Sequence, residues 1–209
     1  MAVLFDRAND LCVKKCGLPS ITWEQRKLGD IGSVVGGNAW KSQDYVNEGT
    51  YLVVTIANVT GNVFIDDTLG NRIDCDTPDP YLLHEGDILI SLTGNVGRVS
   101  KMTATSAVLN QRVGKINVNQ SLILPHFLFH VLRNSEFEAT MIEAGQGAAQ
   151  KNISNKDVLS YLFSMPLSLD EQDRIGSFFQ QIDSLITLHQ RKLSHLQELK
   201  KGLLQQMFV

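Results

Sequence analysis

The segment from Ser168 to Phe208 constrains the fold of this chain more than any other feature. Its apolar residues recur in alternating steps of four and three, which is the heptad spacing of helices that wind around each other. The spacing predicts one long amphipathic helix, which would span about 60 Å at 1.5 Å per residue. Average helices have only about 11 to 12 residues, so the pattern favours a spacer or dimerisation helix over a terminal helix folded back on its own domain.

The apolar face of the predicted helix is wider than the seam of a two-stranded coiled coil. The seam runs from Ile175 to Met207 and contains two polar positions, His189 and Lys200. A second apolar row broadens this face, which indicates packing against more than one neighbour. That row consists of Phe178, Leu185, Leu188, Leu199 and Leu204. The residues predicted to form a dimer interface are Ile175, Phe179, Ile182, Ile186, Leu193, Leu196 and Leu203.

Composition predicts a soluble globular chain that holds neither a metal nor a cofactor. With 209 residues and 43% hydrophobic content, the chain suits one domain with an appendage. No stretch reaches the roughly 20 apolar residues of a membrane span, and the first residues carry charge where a signal peptide needs an apolar run. We therefore expect a cytoplasmic location. Cys12, Cys16 and Cys75 lack companions at metal-ligand spacing, so we expect free thiols.

The net charge of -3 argues against a uniformly basic, nucleic-acid-binding surface. The distribution of charge is uneven, however, because residues 88–135 contain no acidic side chain. The positive residues of that stretch are Arg98, Lys101, Arg112, Lys115 and Arg133. Such asymmetry indicates one basic face, although chance clustering on a solvated surface explains the pattern equally well.

Residues 23–156 show the pattern of short strands separated by Gly-rich or Asn-rich turns. The predicted strands are Tyr51 to Ile56, Val63 to Ile65, Ile88 to Leu92, Val96 to Ser100 and Val113 to Val118. A helix is predicted from Leu122 to Ile142, with Pro125 in its first turn. A short capped turn is predicted at Ser154, followed by an extended segment from Tyr161 to Met165.

Four polar loops carry the only candidate binding chemistry. No P-loop, Gly-x-Ser-x-Gly or His-Glu-x-x-His motif occurs, so no catalytic site is predicted. The loops span residues 36–43, 93–98, 110–112 and 145–152, and they combine Asn, Gln, Arg and Lys with glycine. Arg forks onto guanine and Asn or Gln pairs with adenine, while glycine allows close approach to phosphate. Each loop alone could equally be an ordinary turn.

Taken in order with the terminal helix, these loops resemble the specificity subunit of a Type I restriction-modification enzyme. The resemblance covers the chain from about Trp23 to its C-terminus. The matching segments are Trp23–Asp30, His84–Ser91 with Gly94 and Gly97-Arg98, Asn110–Arg112, Gly145–Ser154, and Pro166 through Glu171-Gln172 to Ile175 and Asp183. In that family a target-recognition domain precedes a conserved helical region and a full subunit contains this unit twice, so the chain resembles a half subunit.

The resemblance implies an α+β fold with three parts. These are an N-terminal extension at residues 1–20, a target-recognition domain at 21–165 and a long-helix dimerisation and spacer region at 166–209. It also implies a non-catalytic component that dimerises, reads an interrupted palindrome in double-stranded DNA, and recruits methyltransferase and restriction subunits. The residues expected to face DNA are Lys41, Asn95, Arg98, Gln111, Arg112, Gln146, Gln150, Lys151 and Asn152.

Two other functions remain open from the sequence. The first is a helical scaffold protein without a nucleic-acid role, which the long helix alone would support. The second is a self-sufficient nuclease or methyltransferase, which the missing metal and cofactor motifs disfavour.

Overall fold

The computed structural model describes residues 22–75, 80–145 and 152–207 as a mixed α/β fold with three sheets. The predicted N-terminal extension lies outside these residues. The strands are β1 Trp23–Lys27, β2 Gly32–Gly36, β3 Tyr45–Val46, β4 Tyr51–Val54, β5 Arg72–Ile73, β6 Leu82–Leu83, β7 Ile88–Ser91, β8 Val99–Lys101, β9 Ala107–Leu109, β10 Val113–Val118 and β11 Leu162–Pro166. The helices are α1 Leu28–Ile31, α2 Pro125–Leu132, α3 Ser135–Ala144, α4 Asn155–Leu159 and α5 Leu169–Met207.

A four-stranded antiparallel sheet in the order β2-β10-β7-β8 forms the centre of the molecule. All four residues of β7 are buried, which explains why Ile88, Leu89 and Ile90 follow one another with no polar residue between them. The two short helices α2 and α3 cover the sheet, and Phe129 and Phe137 between them are fully buried. One hydrophobic cluster joins these helices to the sheet and extends to Phe163 and Met165 of β11.

A five-stranded sheet in the order β3-β5-β4-β9-β6 lies beside the first. Its central pair, β4 and β9, is parallel, and the other pairs are antiparallel. A second apolar cluster connects the two sheets, because Leu89 of β7 packs with Leu52, Val54 and Leu109. The third sheet is the pair β1–β11, whose register sets Trp23 opposite Pro166 just before α5 begins.

The prediction of one helix from Leu122 to Ile142 is wrong, because two helices occupy this region. The chain leaves the helical conformation at Arg133 and Asn134, and the Asn134 side chain then accepts a hydrogen bond from the Phe137 N–H at 2.7 Å. This side-chain cap starts a new helix within an unbroken apolar pattern. The prediction of a strand at Val63 to Ile65 is also wrong, because this segment forms an isolated bridge between Phe64 and Lys101 and is not part of a sheet.

The long helix is confirmed, since α5 runs over 39 residues from Leu169 to Met207. Its first part packs against α2, where a side chain at Gly176 would collide with the ring of His126. The capped turn at Ser154 is confirmed as well, because Ser154 and Asp157 form a capping box. In the described part of the chain, no helix combines the length and apolar character of a membrane span.

Candidate nucleic-acid interface

One end of the four-stranded sheet gathers the polar loops that the sequence singled out. The antiparallel register aligns Gly36 with Gly114, Ser91 with Val113, and Ile90 with Val99. Strands β2 and β7 therefore end, and strands β8 and β10 begin, at the same end of the sheet. Loops that are far apart in the sequence, such as 37–41 and 110–112, consequently become neighbours.

Backbone hydrogen bonds connect these loops directly. The Asn38 N–H donates to the Leu109 carbonyl, and the Gln111 N–H donates to the Asn38 carbonyl, each at 3.0 Å. The Leu92 N–H donates to the Arg112 carbonyl at 3.0 Å, and the Leu92 carbonyl accepts from the Ile153 N–H at 2.9 Å. We call residues 37–41, 93–98, 110–112 and 152 the loop surface.

The side chains expected to face DNA differ in how they are presented. Lys41, Asn95, Gln111, Arg112 and Asn152 are all exposed. The Asn152 Oδ1 accepts a hydrogen bond from the Thr93 hydroxyl at 2.8 Å, which fixes that amide against the 93–98 turn. Among the described residues Arg112 forms no ion pair, so its guanidinium is available to a ligand.

Arg98 is placed differently from the other candidates, because its side chain is half-buried and approaches α3. Its Nε lies 3.7 Å from a carboxylate oxygen of Glu138, and the aliphatic part of the chain passes close to Gly61. A cavity of about 280 Å³ opens beside it. Arg98 thus belongs to the margin of the loop surface and is partly neutralised.

Two glycines give the 93–98 turn its shape. Gly94 and Gly97 have φ angles of +73° and +82°, a region that side-chain-bearing residues rarely adopt. A Cβ atom at Gly97 would also lie 2.8 Å from the Cβ of Met141. The turn is therefore seated directly on α3, which makes it a rigid platform for Asn95.

The sequence left open whether the five cations of residues 88–135 form one basic face, and the structure uses three of them inside the molecule. Lys115 Nζ lies 2.8 Å from Asp87, and Arg133 donates to Asp183 of α5 at 2.7 Å. Lys101 lies over the ring of Phe129 at 4.3 Å, and burial lowers the pKa of its ammonium group. These groups stabilise the fold and leave Arg112 as the exposed cation of the stretch.

Gln146, Gln150 and Lys151 lie outside the described residues, so their expected DNA contacts stay predictions. Asn152, which directly follows them, is bridged to Thr93 in antiparallel fashion. This bridge brings the C-terminal end of the predicted 145–152 loop to the loop surface.

The apolar face of α5 is largely uncovered along its length. We call the exposed large hydrophobic residues of α5 the exposed stripe; they are Phe178, Phe179, Ile182, Leu185, Ile186, Leu188, Leu193, Leu196, Leu199, Leu203 and Leu204. Six of the seven predicted dimer residues belong to it. Ile175, the seventh, is half-buried and packs against the core of the same chain.

A polar junction fastens α5 to the rest of the chain. Asp183 lies 3.7 Å from the His130 ring and also binds Arg133, while the His130 ring packs against Phe179. Burial lowers the pKa of His130 to about 4, against the opposing effect of Asp183, so this histidine is neutral at pH 7.

Sequence reasoning assigned no structural role to Gln172, which joins the start of α5 to the segment before α2 and to the end of β11. Its side chain is fully buried, and its amide bonds the backbone of Leu124, Leu122 and Pro166 at 2.9 to 3.1 Å. The available signal was a glutamine within an otherwise apolar contact face. Among the described residues no cluster of His, Cys, Asp and Glu is suited to hold a metal, and Cys75 is a free thiol.

Comparison with known proteins gives one consistent family. A sequence profile for the Type I restriction modification DNA specificity domain matches residues 20–198. The specificity subunit of the Type I restriction enzyme MjaVIII from Methanocaldococcus jannaschii is 25% identical in an alignment of 190 residues that covers 87% of this chain and 44% of that protein. The EcoAI specificity subunit from Escherichia coli is 31% identical in an alignment of 172 residues that covers 78% of this chain and 28% of that protein.

The fold is likewise shared with solved structures. The crystal structure of the HsdS subunit from Thermoanaerobacter tengcongensis matches with a TM-score of 0.60 at 24% identity, over 84% of this chain and 40% of that chain. The predicted α+β class with a long C-terminal helix is confirmed. The chain spans less than half the length of the curated relatives described above.

Proposed function

Because this chain belongs to the family of Type I restriction modification DNA specificity domains, we propose that it is the DNA-recognition component of a Type I restriction-modification complex. The observation that carries the proposal is the loop surface, where four separate segments converge at one rigid sheet end. Residues 21–165 are the recognition domain in this proposal, and residues 166–209 are the dimerisation and spacer region.

The exposed side chains of the loop surface have the chemistry of base recognition. Arg112 can donate two hydrogen bonds to the O6 and N7 atoms of guanine, and the amides of Asn95 and Gln111 can pair with adenine. Lys41 supplies a positive charge for phosphate at the margin. The backbone beneath these groups is held by strands, so the side chains are displayed without a large ordering cost.

Partner subunits would carry the chemistry in this proposal. The chain itself provides recognition, whereas methylation and cleavage belong to methyltransferase and restriction subunits. The few unpaired cations of the loop surface agree with this division, because partner subunits that clamp the duplex would neutralise most of the contacted phosphates. The exposed stripe would then serve assembly, including a homodimer that sets two identical recognition domains on an interrupted palindrome.

The test begins with genome-wide mapping of methylated bases in a host that carries this chain and its methyltransferase subunit. We expect a split motif with inverted, identical halves. A duplex with that motif then serves as the probe for binding of the assembled complex. Arg112→Ala should weaken binding about 10- to 100-fold, since one good bidentate base contact contributes roughly 1–3 kcal/mol.

The control is Arg26→Ala, which removes an exposed arginine of β1 outside the loop surface. This variant should bind like the parent complex. Equal binding by the Arg112 and Arg26 variants would remove Arg112 from the interface, and the absence of any methylated motif would overturn the proposal.

A helical scaffold protein without DNA binding is the second candidate, because the exposed stripe alone requires only a protein partner. A mobility-shift assay with the methyltransferase subunit present distinguishes the two. The scaffold function predicts no shift of any duplex.

A further inference from the structure

A cavity of about 280 Å³ lies beside the loop surface, where the 93–98 turn meets the segment 60–62 and the start of α3. We propose that this cavity is a phosphate pocket. Arg98 binds a phosphate of the DNA backbone there, and Glu138 is the competing anion that holds Arg98 until a phosphate replaces it. The phosphate pocket rests on the proposed function and adds to it a backbone contact and a residue that limits non-specific binding.

Two neighbours position the Arg98 side chain without using its hydrogen-bond donors. Its aliphatic carbons pass close to Gly61. Its Nε lies 3.7 Å from a carboxylate oxygen of Glu138, which is longer than the roughly 2.7–2.9 Å of a charge-assisted hydrogen bond. Arg133, which also lines the cavity, donates to Asp183 at only 2.7 Å. The loose pair with Glu138 therefore leaves the guanidinium of Arg98 available to a ligand.

The surroundings of the cavity favour an anion. Arg133 and Lys101 both lie over the ring of Phe129, with Asp183 as the carboxylate that Arg133 binds. Two cations therefore stand against one carboxylate beside the cavity. The start of α3 contributes the positive end of a helix dipole at the same place. A phosphodiester, which carries one negative charge, suits this environment.

The spacing between Arg98 and Arg112 matches the dimensions of a DNA groove. The Ser91 N–H donates to the Arg98 carbonyl at 2.9 Å, and the Leu92 N–H donates to the Arg112 carbonyl at 3.0 Å. The two arginines thus lie on opposite sides of the same strand end, and two strand spacings of about 4.8 Å separate their backbones by about 10 Å. The major groove is about 12 Å wide. With Arg112 at the base edges, Arg98 can therefore reach a phosphate at the margin of the groove.

Glu138 makes the phosphate contact conditional. The side chains of Arg98 and Glu138 are 40% and 45% exposed, so a phosphate can approach from solvent. Binding exchanges a carboxylate for a phosphate on one guanidinium, and the released carboxylate then lies near the phosphate, where like charges repel. This cost is the same for every DNA sequence, because phosphates carry no base information. Glu138 thus weakens binding to all duplexes, and only a target that also makes base contacts is bound tightly.

The test measures binding of the assembled complex over a series of salt concentrations, to one duplex with the methylated motif and one without it. Arg98→Ala should reduce the salt slope of the logarithm of the binding constant by about 0.9 on both duplexes, since one phosphate contact is lost. Glu138→Gln should strengthen binding to both duplexes about two- to five-fold, the range expected for one exposed ion pair. A folding defect cannot produce such a gain.

The matched control is Arg26→Ala, because Arg26 is also a partly exposed arginine that pairs with a glutamate, Glu24, at 2.6 Å. It lies outside the loop surface, so its replacement should change neither the salt slope nor the affinity. An unchanged slope in Arg98→Ala overturns the phosphate pocket. A Glu138→Gln complex that binds no more tightly than the parent overturns the role of Glu138.

Methylphosphonate substitution identifies the source of the phosphate. Replacement of single phosphates by this uncharged group should reveal one position in the motif duplex that weakens binding of the parent but not of Arg98→Ala. The absence of such a position overturns the DNA contact. In that case, a rise in melting temperature with inorganic phosphate at constant ionic strength, present in the parent and absent in Arg98→Ala, would assign the pocket to a free phosphate.

Failure of the phosphate pocket is distinguishable from failure of the proposed function. A complex that loses motif binding with Arg112→Ala but keeps its salt slope with Arg98→Ala retains the proposed function and loses the pocket. A complex that directs no methylation and binds every duplex alike, but loses slope with Arg98→Ala, retains the pocket and loses the recognition role.

Discussion

Replacement of Gln172 by methionine should remove the polar fastening between α5 and the preceding domain. The Gln172 side chain is 0% exposed, and its amide makes three hydrogen bonds with backbone groups. Methionine has a similar length and helix propensity, but its thioether cannot replace the hydrogen bonds of the amide. At about 1 kcal/mol for each hydrogen bond, the free energy of unfolding should fall by about 3 kcal/mol.

Urea denaturation followed by circular dichroism measures this loss. Parent and variant are compared at one protein concentration, because the apparent stability of a dimer depends on concentration. The matched control is Gln180→Met, an exposed glutamine of the same helix, whose effect should stay within about 0.5 kcal/mol. If Gln172→Met changed the stability no more than Gln180→Met, the fastening role of the amide would be refuted.

Two further substitutions test the interface and the recognition turn. Leu196→Asp should convert the dimer into a monomer, because it introduces an unpaired charge into the proposed seam at a residue that is 61% exposed in the single chain. Light scattering measures the mass of the particle in solution. A mass that remained dimeric would contradict the proposed seam. Gly97→Ala should lower the melting temperature more than Gly86→Ala does. Both glycines have φ near +85°, but only at Gly97 does a Cβ meet another atom, Met141 Cβ at 2.8 Å. Equal losses would show that the turn is not seated tightly on α3.

The longest element was the easiest to predict, and short-range chemistry explains why. The heptad spacing of α5 is a local property, so the predicted range from Ser168 to Phe208 differs little from Leu169–Met207. Strand β10 was predicted with its observed limits because buried β-branched residues lie between turn signals. Strand β1 was missed, since four of its five residues are exposed and it pairs with β11, more than 130 residues away.

The break between α2 and α3 shows a limit of periodicity as a guide. Apolar residues continue at helical spacing across Arg133 and Asn134, because both helices face the same core. The cap that separates them is a single hydrogen bond from the Phe137 N–H to the Asn134 side chain. A periodic pattern reports which face is buried, and it does not report whether the backbone continues through it.

The loops of the candidate site could be predicted from the sequence, but the number of its unpaired cations could not. The loops could be recognised because Asn occurs in each of them beside Gly, Gln, Arg or Lys, and their described parts do converge. A continuous basic face does not form, because Arg98, Lys115 and Arg133 approach carboxylates that are distant in the sequence. Lys101 lies over the ring of Phe129. Arg133 pairs with Asp183, 50 residues later, and Lys115 pairs with Asp87. A run of like charges in the sequence therefore predicts a charged surface only if its side chains have no ion-pair partners in the folded chain.

The pairing of Arg133 with Asp183 also gives a physical reason why α2 carries no acidic residue where it meets α5. Asp183 of α5 meets Arg133 and lies near the neutral His130, and Asp173 of the same helix lies 3.2 Å from the ring of His126. A further carboxylate on α2 at this point would compete for the same guanidinium in a partly buried site, where an unpaired charge is costly. The lack of an acidic residue in α2 thus suits the junction to α5, whereas Arg112 lies on the loop surface and forms no ion pair among the described residues.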